Sequence, residues 1–180
     1  SGLTTPNKVL AVASMRDNEL KINKIQNNLC IGIDSLQDPG NFGTIIRIAN
    51  WFGIGHVICS NDTVELYSPK VIQATMGSIF RVHVYYTDLV NLLDSLSSNI
   101  PVFGTFLEGD DIYQSELTDH GIVFFGNESL GISNPVARCI KHKIKIPSYP
   151  RGNNTMESLN VSAAVAIACS EFRRQTAHSK

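Results

Sequence analysis

No apolar run in the sequence approaches the roughly 18–20 residues that a membrane-spanning helix needs, so a transmembrane reading is excluded at the outset. Charge is also scarce. Asp, Glu, Lys and Arg make up 17% of the chain and the net charge is −1, so no global basic field announces a nucleic-acid binder. Any such binding has to come from a local patch or from a separate domain. The four cysteines, Cys30, Cys59, Cys139 and Cys169, lie far apart with no Cys-x-x-Cys pair, which removes the usual zinc spacing. The five histidines, His56, His83, His120, His142 and His178, show no His-x-x-x-His spacing, so no metal is expected. Without a signal-peptide pattern, the cysteines are expected to be buried thiols in a reducing, cytoplasmic setting. There is no G-x-G-x-x-G after the first strand-like run and no Walker loop; "GIG" at Gly53 to Gly55 follows a helical pattern and lacks the third glycine. A conventional dinucleotide enzyme is therefore disfavoured. Repeats and low-complexity segments are missing too.

What is present is a chain of 180 residues, 43% of them apolar, enough for one domain with a substantial core. Short β-like runs alternate with helical patterns. The predicted strands are Leu29 to Asp34, His56 to Ser60, Arg81 to Tyr86, Ile100 to Phe106, Gly121 to Gly126 and His142 to Pro147. Helices are predicted from about Gly43, after Ser68-Pro69, over Asp88 to Ser97, after Asn134-Pro135, and from about Ser158 to Arg174. Nearly all-apolar strands separated by helices imply an α/β fold: a mainly parallel sheet covered by helices on both faces. Residues 1–28 break this rhythm and are expected to be a linker plus a helix. The acidic run "EGDDIYQSE" has no calcium-ligand pattern and reads as a solvated loop.

The stretch "LQDPGNFGTIIRIANWFGI", Leu36 to Ile54, carries more specific information. Ile45, Ile48, Ala49 and Phe52 recur at helical spacing and define a buried face, leaving Thr44, Arg47 and Trp51 on the polar side. A Pro-Gly-Asn turn with free N–H groups, followed by an arginine in the first turns of a helix, suits an anion. In open parallel sheets ligands sit at the carboxyl ends of the strands. Three loops marked by small residues fall there, at Gly104, at Gly126 and over Pro147 to Gly152.

Three segments taken together resemble a known family. "DPGNFGTIIRIANWFG" (Asp38 to Gly53), "FGNESLGIS" (Phe125 to Ser133) and "KIPSYPRG…MESLNVSAAVAI" (Lys145 to Ile167) are similar, in order, to the three motifs of SpoU/TrmH-type RNA ribose methyltransferases of the SPOUT superfamily. The segment "SYPRGNNTM", Ser148 to Met156, is longer than the family's usual loop. The resemblance covers about residues 29–174 and implies a C-terminal deep trefoil knot, a homodimer, S-adenosyl-L-methionine as cofactor, and methyl transfer to a ribose 2′-hydroxyl of rRNA or tRNA. It further implies a catalytic domain over residues 29–180 and, ahead of it, a small RNA-binding domain whose junction "TPNKVLAV" at Thr5 to Val12 resembles.

By the same resemblance, Arg47, Asn41, Glu128, Ser158 and Asn160 form the catalytic set. Arg47 would face the RNA. A guanidinium is effectively always protonated, so holding a phosphate and steadying a developing alkoxide suit it better than acting as a base. Its plain alternative is a surface arginine lying over Trp51. Asn41 would orient the ribose or only serve its turn. Glu128 would sit by the cofactor and pair with Arg47, or cap the next helix. Ser158 also reads as an N-cap for the long helix. The cofactor would rest on Thr105, Phe106 and Leu107, on Gly126, Asn127, Glu128 and Gly131, and on Ile146 and Pro147, with Ser158, Leu159 and Asn160 closing it. The small-residue run "SAAVAIACS" reads as core or dimer interface. Lys141, Lys143, Lys145 and Arg151 would border the RNA path or lie on a solvated strand edge. A non-catalytic RNA-binding module that kept the fold is the alternative reading.

Overall fold

A computed structural model describes residues 12, 14–15, 19–150 and 158–177. The elements run α1 (Ile22–Asn27), β1 (Leu29–Ile33), α2 (Pro39–Trp51), β2 (His56–Ser60), α3 (Pro69–Thr75), a 3-10 turn (Ser78–Phe80), β3 (His83–Thr87), α4 (Leu89–Ser95), β4 (Val102–Asp111), β5 (Gly121–Phe125), α5 (Asn134–Cys139), β6 (His142–Lys145) and α6 (Val161–Thr176). All six expected strands are present and form one sheet in the order β3-β2-β1-β5-β4-β6, with every pairing parallel.

Alternation along the strands separates two cores, because successive side chains point to opposite faces. Leu29, Ile31 and Ile33 of β1, with Val57, Cys59, Val123 and Phe125, pack under α2 and α6 against Phe42, Ile45, Ile46 and Phe172. On the other face Cys30, Ile58, Ile122 and Phe124 meet Ile25 of α1, Leu89 and Leu93 of α4 and Val136 of α5. Burial on both faces is why the strands read as unbroken apolar runs. Each fully buried side chain such as Phe42 or Ile46 contributes about 1.5–3 kcal/mol to holding α2 on the sheet. All four cysteines are free, and burial pushes the Cys30 and Cys169 thiols up to about 12.

Two elements depart most from the sequence reading, while α6 begins at Val161 and not at Ser158, and β3 runs His83–Thr87 and not Arg81–Tyr86. Helix α2 begins at Pro39, not Gly43: Asp38 caps it by accepting from the Asn41 N–H at 2.6 Å, and Pro39 fills the first helical position, which needs no donor. The Pro-Gly-Asn segment is thus the first helical turn. The second departure is β4, which continues through Glu108 to Asp111, so half of the expected acidic loop is strand. Its register slips on the way. Thr105 and Asp110 both partner Ile144 of β6, and the residues between them leave the ladder.

Helix α2 lies between α3 and α6. Gly43 is required for this contact, since a Cβ there would stand 2.4 Å from the Ala74 Cβ of α3. At the other end Arg173 of α6 donates from Nε to the Phe52 carbonyl (2.8 Å) and from Nη2 to the Gly53 carbonyl (3.0 Å). These bonds satisfy carbonyls that a helix end leaves free. Among the described residues no helix is long and apolar enough to cross a membrane.

Candidate active site

Strands β1 and β5 are neighbours, with Ile33 opposite Phe125, so the chain segments that leave their carboxyl ends are set side by side. Several bonds lock them together. The Asp34 N–H donates to the Phe125 carbonyl at 3.0 Å, Asn127 Nδ2 to the Ser35 carbonyl at 2.9 Å, and the Ser133 N–H to the buried Asp34 carboxylate at 2.7 Å. Ser35 sits at φ 57°, and its hydroxyl donates to Asp62 at 2.7 Å. That bond, with a second from Ser60, holds the Asp62 carboxyl below its ordinary value.

The segment after β5 then folds back on itself. Asn127 and Gly131 exchange backbone bonds at 3.0 and 2.9 Å, while the Asn127 side chain accepts from the Ser129 and Leu130 N–H groups. Gly131 takes φ 70°, and Gly126 meets it so closely that a Cβ would fall 2.0 Å from the Gly131 carbonyl carbon. Glycine at both positions is what lets this loop close.

Glu128 projects from the loop into a four-residue network. Asn41 Nδ2 donates to Glu128 Oε1 at 2.8 Å, while Asn41 Oδ1 accepts from Asn160 Nδ2 at 3.0 Å and from the Ser162 hydroxyl at 3.2 Å. Asn160 is also the N-cap of α6, its Oδ1 accepting from the Ser162 and Ala163 N–H groups. Residues 119 apart in the chain thus share one bond. Three of the expected catalytic residues, Asn41, Glu128 and Asn160, come together here. Ser158 is beside them, its hydroxyl 3.5 Å from the Glu128 carbonyl, but it does not cap α6; Asn160 holds that place.

Arg47 does not join this network. It lies six residues beyond Asn41, roughly 240° around the helix at 100° per residue, and is exposed. The partner of Glu128 is therefore Asn41, not Arg47. Sequence reasoning passes over Ser162 because it sits in the small-residue run; its signal is its position two residues after the capping Asn160.

Next to the network a cleft of about 520 Å³ opens at the carboxyl ends of β4, β5 and β6. Its walls are Thr105, Phe106 and Leu107 from the out-looped part of β4; Gly126, Asn127, Glu128 and Gly131 from the loop after β5; and Ile146, Ser158 and Leu159. Of the expected cofactor residues, Pro147 and Asn160 do not line it. Glu108, Ile132 and Val161 line it without having been expected there, and so does Lys143, which the sequence sets beside the RNA path or on a solvated strand edge. Lys143 holds its ammonium 5.1 Å from the centre of the Phe106 ring. The register slip in β4 explains this wall: it frees Phe106, Leu107 and Glu108 from the ladder to face the cleft. Residues 151–156 of the long third-motif loop, Arg151 among them, and residues 5–11 of the N-terminal junction lie outside the described residues. Among the described residues no group of His, Cys, Asp and Glu is placed to hold a metal ion.

An all-parallel α/β sheet with a nucleoside-sized cleft at its strand ends, edged by an amide–carboxylate network, defines a ligand-binding domain of the open α/β class. The chain matches the SpoU rRNA Methylase family over residues 28–170, and it belongs to that family. It is similar to the 23S rRNA (guanosine(2553)-2′-O)-methyltransferase RlmP of Bacillus subtilis, 29% identical over 94% of this chain and 66% of that protein. Its fold is similar to a TrmH-family protein from Porphyromonas gingivalis, with a TM-score of 0.77 and 41% identity over 83% of this chain and 60% of the other. It is likewise similar to an AdoMet-bound rRNA methyltransferase from Sinorhizobium meliloti, with a TM-score of 0.72 and 30% identity over 82% and 56% of the two chains. The chain spans two thirds or less of the length of the curated relatives it matches: 66% of the Bacillus subtilis protein and 52% and 61% of two others.

Proposed function

We infer that this chain is the catalytic domain of an S-adenosyl-L-methionine-dependent RNA methyltransferase that modifies a ribose 2′-hydroxyl of rRNA or tRNA, and that it works as a homodimer. The observation that carries the reading is the Glu128–Asn41–Asn160–Ser162 network at the lip of the cleft, which joins all three motif segments in one hydrogen-bonded unit. The cleft fits the cofactor in size and in chemistry. Its volume lies within the usual 300–1,000 Å³ range of small-molecule sites, and its apolar walls suit an adenosyl group. Among the described residues that line it, Glu108 and Glu128 supply the carboxylates, matching a ligand with cationic sulfonium and ammonium groups. When bound, the cofactor supplies an electrophilic methyl group to the attacking hydroxyl.

The chain's own residues do the positioning. Asn41 is fixed at both ends of its amide, so it can hold neither a free rotamer nor the opposite orientation without losing three bonds. Glu128 commits Oε1 to Asn41, leaving Oε2 as the acceptor for a proton or an amine. Arg47, permanently charged on the outer side of α2, would hold an RNA phosphate. The trefoil knot of the C-terminal third agrees with the strand order, in which β6 lies beyond β4 and α6 returns to α2. Exposed Ala163 and Ser170 on α6 agree with a packing face for a second copy. The cytoplasm is the compartment that suits free thiols and an RNA substrate.

The test is calorimetric titration with S-adenosylhomocysteine, on the chain and on Asn160→Ala, followed by methyl transfer from labelled cofactor to unmodified rRNA and tRNA. Expected are binding weakened in the variant, label in ribose 2′-O positions, and the elution volume of a dimer. A folded chain that binds no S-adenosylhomocysteine would overturn the reading in favour of a non-catalytic RNA module.

A further inference from the structure

Lys143 is the single cation among the described residues that line the cleft. Its presence there runs against the main charges of the ligand. S-adenosyl-L-methionine carries a sulfonium and an ammonium, and a lysine in the wall repels both. The ligand's one negative group is the carboxylate of its amino-acid tail. Only beside that group does a wall ammonium favour binding.

The fold holds Lys143 against the out-looped part of β4 at two points. A Cβ on Gly109 would stand 2.6 Å from the Lys143 carbonyl oxygen, so the loop rests directly on the lysine's backbone. Nearer the start of the loop, the Lys143 ammonium lies 5.1 Å from the centre of the Phe106 ring. Glu108 falls between these two contacts in the chain and also lines the cleft. An ammonium and a carboxylate thus share one stretch of wall. The ring contact steadies the Lys143 ammonium without using its hydrogen-bond donors. Among the described residues no ion pair uses either charge.

Opposite charges on one stretch of wall match a zwitterion, whose own two charges are carried on a single carbon. An RNA phosphate suits the same lysine less well. Glu108, Asp110 and Asp111 place three carboxylates within four residues of β4, and their field repels a polyanion. A tail whose ammonium balances its carboxylate is not repelled.

We propose that Lys143 and Glu108 clamp the amino-acid tail of the cofactor, Lys143 on its carboxylate and Glu108 on its ammonium. Glu128, bonded to Asn41, is then left for the sulfonium. The proposal rests on the methyltransferase reading above and adds a specificity to it: the cleft selects adenosyl ligands whose amino-acid tail is intact.

Three ligands are titrated calorimetrically into the full chain: S-adenosylhomocysteine, its decarboxylated analogue, and 5′-methylthioadenosine, which has no tail. Lys143→Met, Lys143→Arg and Glu108→Gln are treated alike, with thermal unfolding as the check on their fold. Lys143→Met should weaken S-adenosylhomocysteine binding about 5- to 10-fold, between the strength of an exposed ion pair and that of a hydrogen bond to a charged group. It should leave the other two ligands unchanged, and Lys143→Arg should restore most of the loss. Glu108→Gln should weaken both ligands that carry the ammonium and spare methylthioadenosine. The unaltered chain gives a reading that needs no variant: it should bind S-adenosylhomocysteine about 5-fold or more tightly than the decarboxylated analogue. Equal affinities for those two ligands overturn the clamp. An equal loss of all three ligands in Lys143→Met overturns it by showing a deformed wall. Unchanged S-adenosylhomocysteine affinity in that variant, with weaker binding of unmodified RNA, overturns it by giving the lysine to a phosphate. Each of these results leaves the methyltransferase reading standing, whereas an unaltered chain that binds none of the three ligands overturns both.

Discussion

Replacing Asn41 by aspartate changes almost no volume but reverses one bond of the network. The new carboxylate could still accept from Asn160 and Ser162, whose present distances to Asn41 Oδ1 are 3.0 and 3.2 Å. It could not donate to Glu128 Oε1, now 2.8 Å from the Asn41 amide nitrogen, and two carboxylate oxygens would face each other instead. Let them part to about 4 Å; at the effective dielectric of about 20 that suits partly buried groups, the repulsion is near 4 kcal/mol. Relaxation and water reduce that, so Asn41→Asp is expected to lose about 2–4 kcal/mol, or roughly 5–15 °C in melting temperature for a chain of this size. The assay is thermal unfolding of both proteins at neutral and mildly acidic pH, with S-adenosylhomocysteine affinity alongside. Acid supplies a proton to one carboxylate of the variant pair, restoring a donor, so the gap should narrow as the pH falls. A constant gap from about pH 7 to 5, or none at all, would refute the placement of Asn41 against Glu128.

Gly126→Ala should cost about tenfold or more in S-adenosylhomocysteine affinity, because its Cβ would lie 2.0 Å from backbone that must then move, taking the cleft wall with it. Gly53→Ala, at φ 63° with open space around the new Cβ, should instead lose about 1–2 kcal/mol of stability and leave affinity intact; equal affinities in the two variants would count against the loop geometry. A third prediction concerns pH. His56, which shares a 3.0 Å bond with the Tyr85 hydroxyl, has its pKa lowered from 6.5 first by burial, then by His83 and Lys24. The folded state therefore resists its protonation: stability is complete above about pH 6.5 and declines as the pH drops below it. His56→Gln should flatten that decline in urea unfolding between about pH 6.5 and 5, and an unchanged slope would show that His56 does not cause it.

The strands were legible because burial on both faces leaves an unbroken apolar run, which little else in a chain of low charge imitates. Helix α2 was legible in its body but not at its start. Pro-Gly-Asn satisfies the rules for a turn and, once Asp38 caps it, equally those for a first helical turn. The far half of β4 was hidden for the opposite reason: Glu108 to Asp111 have the composition of a loop, and only pairing with β6 beyond the register slip makes them strand. The same slip makes Glu108 part of the cleft. The expected Glu128–Arg47 pair failed on helical geometry, since a residue six places after Asn41 points away from whatever Asn41 faces.

The site itself depends on topology more than on any local pattern. Asn41, Glu128 and Asn160 belong to segments separated by 87 and 119 residues of chain in their bonded pairs. They meet because β1 pairs with β5 and because α6 packs on α2, two facts fixed by sheet order and helix packing. A network assembled this way is held by the whole fold. Its neutral amides pair with each other at the half-exposed lip of the cleft, and they need no counter-ion. Loss of one member also removes a bond from its neighbour, so single substitutions at Asn41, Asn160 and Ser162 should overlap in their effects. Their sum would then exceed the loss in the triple variant, as expected of groups that act as one unit.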